Sequence, residues 1–288
     1  MSADERGRAH EATGEGNNRV VQERLHAADG VELFAVRVPA DGVWRPRRRG
    51  AAYGYVAGGS ATLAWGAGPA ARVSADADEF FRVPAGTPPA VHATDGSARL
   101  LVAFDTGVTG AADADWPSAT ADGTVVTTAT DGGVVSKSVG GTPTGRDAAA
   151  RPADTSPTAE DPTARAAATT VAGRDDWGSA GELENVERRS PFPDDDVRMV
   201  RGHSSGEIVS EWHHHHDNHV FGFVLGGDGY VEWGTGEGER LFVAAGECFH
   251  IPAGFVHRDR SDSAGDQEFV LWLTGSEPRT LPAEETDR

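Results

Sequence analysis

Five of the chain's 11 histidines fall within the seven positions His213–His219, inside the stretch EWHHHHDNHVFGFVLGG that runs from Glu211 to Gly227. A neutral imidazole is a good ligand for Fe, Ni, Cu, Zn and Co, and a weaker one for Mn. In an extended strand successive side chains point to opposite faces, so His-x-His presents two rings on one side. The run holds two such pairs, His213 with His215 and His214 with His216, and only one pair can face an interior. A metal site needs a third ligand. The nearest candidate is His219, and a strand further along offers His257 in GECFHIPAGFVH. The candidate ligands are therefore one of the two pairs, His213 with His215 or His214 with His216, joined by His219 and His257. A bland reading is a solvated loop that binds nickel adventitiously. The run is internal, however, and leads directly into a strand-like segment. His203 and His250 stand singly and read as surface or packing residues.

Other chemistry-bearing residues are sparse. Glu211, Glu232 and Glu268 are near the histidines in sequence, but none has a spacing that assigns it acid–base work. Phe221, Phe223, Trp233, Phe249, Phe255 and Trp272 could line a substrate pocket, although aromatic residues of a small barrel are more often core. Cys248 is the single cysteine. It permits no intrachain disulfide, agrees with a reducing compartment, and alternates with Phe249 so that it faces away from the site.

The elements that must position these residues show up as a repeat. Trp44, Gly54, Gly58 and Gly59 are matched 168 residues later by Trp212, Gly222, Gly226 and Gly227. The register continues through Phe81 with Phe249, and through Pro84–Gly86 with Pro252–Gly254. A shared register of glycine, tryptophan and proline over this length marks a duplicated domain. Within each copy, runs such as YGYVAGG and FGFVLGG are short, aromatic and β-branched, and end in glycine pairs. Turn signals recur every few residues and no long helical period is present, so each copy reads as an all-β sandwich or barrel. The first copy has Arg45, Arg47, Ala51 and Pro89 where the second has His213, His215, His219 and His257. It keeps the shape-setting residues and lacks the ligands, so the histidines are separable from what the fold requires. Arg45, Arg47 and Arg48 read as a solvated patch before an anion site, and His92 as a surface residue.

Composition sets the frame. The formal net charge of −19, with Lys137 as the only lysine, disfavours polyanionic partners such as nucleic acid or anionic membrane. It also suits a protein kept soluble at high salt. The N-terminal residues lack the apolar core of a signal peptide and no window is apolar enough to span a bilayer, which together lead to an expectation of a cytoplasmic protein. Residues 109–176 are dominated by Ala, Thr, Pro, Asp and Gly and read as a flexible linker, in which Val125, Val126, Val134 and Val135 could form one short hairpin. The expected organisation is 1–18 disordered, 19–108 a first domain, 109–176 the linker, 177–279 a metal-binding domain and 280–288 a disordered tail.

These features resemble the cupin superfamily, and its duplicated-domain bicupins in particular. The second cupin motif, G-x5-P-x-G-x2-H-x3-N, is met by Gly246, Pro252, Gly254 and His257, with Ser261 in the place of Asn. The first, G-x5-H-x-H-x3,4-E-x6-G, is met by His213, His215 and Gly226, with His219 in the glutamate position. A frame one residue later uses His214, His216 and Gly227, places Val220 there, and leaves three histidines. The resemblance implies two jelly-roll antiparallel β-barrels packed against each other, with a homodimer as a further expectation. It also implies one divalent transition metal (Fe, Mn, Ni or Zn) in the C-terminal barrel, and a small-molecule ligand or substrate. A dioxygenase-like enzyme is the leading expectation, an isomerase the next. A non-catalytic sensor and a metal-free structural protein are the alternatives.

Overall fold

In a computed structural model of the chain, the described residues are 19–28, 30–48, 50–65, 68–86, 88–106, 126–127, 135–138, 164, 168–183, 185–193, 195, 197–234, 239–261, 265–274 and 280–283. The strands of the first half are β1 (Val21–Ala28), β2 (Val31–Val38), β3 (Val43–Trp44), β4 (Ala52–Gly58), β5 (Ala61–Ala64), β6 (Arg72–Ala75), β7 (Phe80–Val83), β8 (Ala90–Ala93) and β9 (Ala98–Asp105). Between the halves are β10 (Val126–Thr127), β11 (Val135–Ser138) and β12 (Thr170–Ala172). The second half comprises β13 (Gly178–Leu183), β14 (Val186–Ser190), β15 (Arg198–Ser204), β16 (Ile208–Val209), β17 (His213–His214), β18 (Val220–Gly226), β19 (Asp228–Trp233) and β20 (Glu239–Ala244). It closes with β21 (Glu247–Ile251), β22 (Arg258–Ser261), β23 (Gln267–Leu273) and β24 (Leu281–Pro282).

Each half folds as two facing sheets. In the first, a large sheet β1-β2-β9-β4-β7-β12 covers a small one, β3-β8-β5-β6. In the second, β10-β11-β21-β18-β23-β15-β14-β13 covers β16-β22-β19-β20, and β17 pairs with β24. The fold class is thus all-β, two jelly-roll barrels of duplicated design. β4 and β18 occupy equivalent central positions and share one burial pattern, five buried residues followed by two half-buried ones. Both are continuously apolar because each large sheet is covered on both faces, by its own barrel interior and by the other barrel.

The inter-barrel layer holds Leu25, Leu33, Tyr55, Phe80 and Leu101 from the first barrel against Met199, Phe221, Phe223 and Trp272 from the second. Phe221 and Trp272 are fully buried there, each worth about 2–3 kcal/mol of transfer free energy. Trp272 Nε1 donates across the interface to the Tyr53 carbonyl at 3.1 Å. An ionic group reinforces the seam. Arg201 donates to Glu268 at 2.9 Å and to Asp78 of the first barrel at 3.5 Å, and Asp78 also accepts from Tyr55 and Arg174.

Most of the expected linker lies outside the described residues, as do residues 1–18. Its described parts include β10, β11 and β12 and a single 3-10 turn at Arg174–Asp176. β10 and β11 form the short hairpin, with Val126 opposite Lys137, and β11 runs parallel to β21 on the edge of the second barrel's large sheet. β12 pairs with β7 on the corresponding edge of the first. Each barrel's open edge is thereby covered by a strand from the inter-barrel region, which removes a pairing template. Residues 280–283 correct the expectation of a disordered tail: Leu281 and Pro282 pair with His214 and His213, and the Ala283 amide donates to the Trp212 carbonyl at 2.9 Å.

Candidate metal centre

The two barrel interiors differ. The first is filled: Trp44, Val56, Leu63, Phe81, Leu100 and Phe104 pack together, leaving a void of only about 10 Å³. The positions equivalent to the histidines hold exposed Arg45 and Arg47 and buried Pro89, and Arg48 is paired with Glu32. The second interior has a sparser apolar cluster of Val200, Val220, Val231, Ile251 and Leu273. Beside it is a cavity of about 410 Å³ reached by His215 and His257.

His213, His215 and His257 converge. All three are buried, and one ring nitrogen from each lies within 4.8 Å of the other two. β17 supplies His213, the residue after its end is His215, and the alternation of extended backbone turns both rings to the same side. His257 forms an isolated antiparallel bridge with His213. The rings are held from behind. The Nδ1–H of His213 donates to the Glu211 carbonyl at 2.8 Å, and that of His257 to the Phe255 carbonyl at 2.9 Å. His215 Nδ1 lies 3.4 Å from Thr280 Oγ1. The two carbonyl contacts fix the tautomer of His213 and His257 that leaves Nε2 unprotonated. The Nε2 atoms of His213 and His257 are buried without a hydrogen-bond partner among the described residues, a costly arrangement unless something binds there. Burial pushes His257 down to about 4, with His213 adding to the effect against Asp259, so at neutral pH it is in its ligating form. Three buried imidazoles whose ring nitrogens face one another are a donor set that fits a divalent transition ion.

His219 is not part of this group. His216 takes a left-handed backbone, φ +55°, and the chain turns there, with Asn218 donating to the His215 carbonyl through its backbone at 3.0 Å and its side chain at 2.7 Å. The turn carries His219 away from the side that His213 and His215 share. His219 Nδ1 instead sits 2.8 Å from His250 Nε2, and the His250 ring in turn lies against that of His26 of the first barrel, with centroids 3.9 Å apart and planes tilted by 58°. His214 and His216 are half-buried, and the His216 ring meets Asp217.

Of the six aromatics considered for the pocket, Phe249 lines the cavity. Phe221, Phe223 and Trp272 belong to the inter-barrel layer, because the even-numbered residues of β18 and the odd-numbered residues of β23 face the barrel interior. Trp233 and Phe255 pack beside the interior cluster without lining the cavity. Cys248 faces the inter-barrel layer, and burial pushes its thiol up. Glu232 pairs with Arg258 at 2.8 Å.

Asp259 is a functional candidate that the motif reading passed over. It follows His257 by two residues on β22, and its Oδ2 lies 3.8 Å from His213 Nε2. Burial alone would raise its pKa, but His213, His257, Arg188 and His215 outweigh that and hold it below the ordinary carboxylate range. The side chain is enclosed by protein yet keeps 39 % of its accessible surface, because it faces the cavity it lines. The two-residue step from His257 was the signal that could have found it.

A family profile described as "Cupin domain" matches residues 204–273. No curated protein is similar enough in sequence to match. Among solved structures, a deletion mutant of the oxalate decarboxylase OxdC from Bacillus subtilis superposes with a TM-score of 0.54 at 12% identity, over 88% of this chain and 71% of that one. An oxalate decarboxylase from Lactobacillus farciminis, in a formate complex, gives 0.56 at 13% identity over 88% and 80%. At these identities the likeness is one of fold. No helix among the described residues is long and apolar enough to cross a membrane.

Proposed function

We propose that the C-terminal barrel, in which residues 204–273 match the cupin domain profile, holds one divalent transition metal on His213, His215 and His257 and acts on a small organic molecule in the adjoining cavity. The observation that carries this reading is the convergence of three buried imidazoles, two with Nε2 atoms that have no hydrogen-bond partner among the described residues. An ion bound there supplies Lewis-acid polarisation and open coordination positions. The chain's own residues do the rest. Thr280 and the carbonyls of Glu211 and Phe255 orient the rings, while Val220, Val231, Ile251 and Leu273 line the cavity and limit water. Asp259, ionised and beside the imidazoles, is placed to accept a proton from a bound ligand. The finer reading is an oxidoreductase of dioxygenase type, with isomerisation second, since an all-histidine set leaves the ion its full charge. The first barrel serves as a packing partner.

The test is elemental analysis of protein purified without nickel resin. About one equivalent of a single transition metal in the wild type and less than a tenth in His257→Ala is expected; a metal-poor wild type overturns the reading. Oxygen uptake by the metal-loaded protein with candidate substrates then separates an oxygenase from a binding protein, which would show ligand stabilisation without turnover.

A further inference from the structure

Two arginines on the wall of the cavity have no counterpart in the cupin motifs. Arg188 on β14 and Arg198 on β15 both line it, and the Nε of each is buried without a hydrogen-bond partner among the described residues. The strands pair antiparallel, with Arg188 opposite Gly202. Arg198, Val200 and Gly202 alternate onto one face, so the two guanidinium groups enter the same space. Burial lowers the pKa of Arg188, Asp259 opposes that, and Arg198 adds to it as a neighbouring like charge.

The other charged groups of the lining are Arg260, Asp228, Asp259 and Glu268. Glu268 is engaged by Arg201 at 2.9 Å, and Arg260 lies 4.0 Å from Glu232. Arg188 and Arg198 are thus left with Asp259 and Asp228, and a divalent ion on the histidines adds two further positive charges. The two arginines and two carboxylates balance in charge, so what an anionic ligand relieves in the cavity itself is the pair of buried guanidinium N–H donors that lack an acceptor among the described residues, a costly state. A bound ion adds to the attraction.

We propose that Arg188 and Arg198 form the anion-recognising wall of this cavity and that its ligand is an organic carboxylate with an apolar body. The planar guanidinium matches a carboxylate through paired N–H donors. The apolar part of the ligand meets Val200, Val220, Leu271 and Leu273, and a cavity of about 410 Å³ is of the size that encloses such a molecule. A phosphate dianion fits less well, since its second charge would face Asp259. The proposal names the substrate class for the site above and rests on the reading that this cavity is the ligand site, but its residues are not those expected to hold the metal.

The experiment uses the full chain, metal-loaded and metal-stripped, titrated at constant ionic strength with benzoate and cyclohexanecarboxylate and with the two corresponding neutral amides. Binding is followed by calorimetry and by thermal midpoint. The acids are expected to bind and to raise the midpoint, and the amides to bind at least about tenfold more weakly. Arg188→Gln and Arg198→Gln each cost about tenfold in acid affinity, while the midpoint without ligand stays level or rises because a like-charge pair has been relieved. Amides that bind as well as the acids, acids that do not bind, or variants that bind them like the wild type would each overturn the proposal. Metal content is measured on the same samples. A metal-free wild type that still prefers the acids sinks only the metal reading, and a metal-loaded one without that preference sinks only this one.

Discussion

His213 and His257 hold each other through two backbone hydrogen bonds: each amide donates to the other's carbonyl at 2.9 Å, which leaves the ring centroids 4.3 Å apart. This is the hydrogen-bonded pair of an antiparallel ladder, formed where the histidine strand meets the residue that opens β22. Imidazoles from two distant parts of the chain are thereby registered by main chain, and their geometry depends little on the flexibility of any loop.

That registration separates the histidines by role. His213→Ala, His215→Ala and His257→Ala are each expected to reduce metal content below a tenth of an equivalent, because two nitrogens cannot hold a transition ion against water. His219→Ala is expected to keep the full content, since its ring is turned to His250. Elemental analysis of the four variants decides the matter. Metal loss in His219→Ala equal to that in His257→Ala would show that the turn at His216 rearranges on binding.

The repeated glycines make a second prediction. A Cβ on Gly222 would lie 2.1 Å from the Phe249 ring, and one on Gly54 would lie 2.0 Å from Phe81, the equivalent pair in the other barrel. In each barrel an aromatic ring lies flat over a bare backbone. Gly54→Ala and Gly222→Ala are each expected to destabilise by about 1–3 kcal/mol through overpacking, measured by urea denaturation. Gly222→Ala should also alter ligand binding, because Phe249 lines the cavity, whereas Gly54→Ala should not. Two variants as stable as the wild type would mean the rings simply rotate aside.

The same geometry explains what could be read from the residues alone. The duplication was legible because Gly54, Gly222 and their ring partners are dictated by contact, and because Gly59 and Gly227 both require φ above +70°. The convergence of His213, His215 and His257 followed from a two-residue period and a motif. His219 was misplaced because nearness in sequence and a place in the motif say nothing about the left-handed residue at His216. Phe221, Phe223 and Trp272 were ambiguous in principle, since a sheet covered on both faces gives an unbroken apolar run that does not say which face is which. Arg188 and Arg198 carried no local signal at all. Only the pairing of β14 with β15 and their place over the cavity give them meaning.

Acid should weaken the seam between the barrels. Burial pushes His26 down to about 3, with His219 adding to it, and pushes His250 well below its ordinary value, with His26 and His219 adding. Below about pH 6.5 the unfolded chain takes up protons that the folded chain refuses, so stability falls as pH drops toward 3. Each such histidine contributes a slope of about 1.4 kcal/mol per pH unit. Thermal midpoints of metal-stripped protein between pH 7.5 and 5 are expected to fall, and to fall less steeply in His26→Gln. Parallel curves for the two proteins would rule out this source of acid sensitivity.

Trp272 tests whether the barrels are stable apart. Its ring is fully buried between them, and Nε1 reaches the Tyr53 carbonyl at 3.1 Å. Trp272→Phe keeps most of the apolar contact and loses the hydrogen bond, for an expected cost of about 1–2 kcal/mol. Trp272→Ala opens a cavity in the shared layer and is expected to cost about 3–5 kcal/mol. Because the ring faces away from the histidines, metal content should be unchanged in both variants. Denaturation followed by tryptophan-independent far-ultraviolet dichroism gives the stabilities, and elemental analysis gives the metal. A Trp272→Ala protein as stable as the wild type would mean that each barrel stands without the other. One that loses its metal would mean that the inter-barrel layer, and not only β17 and β22, sets the positions of the ligands.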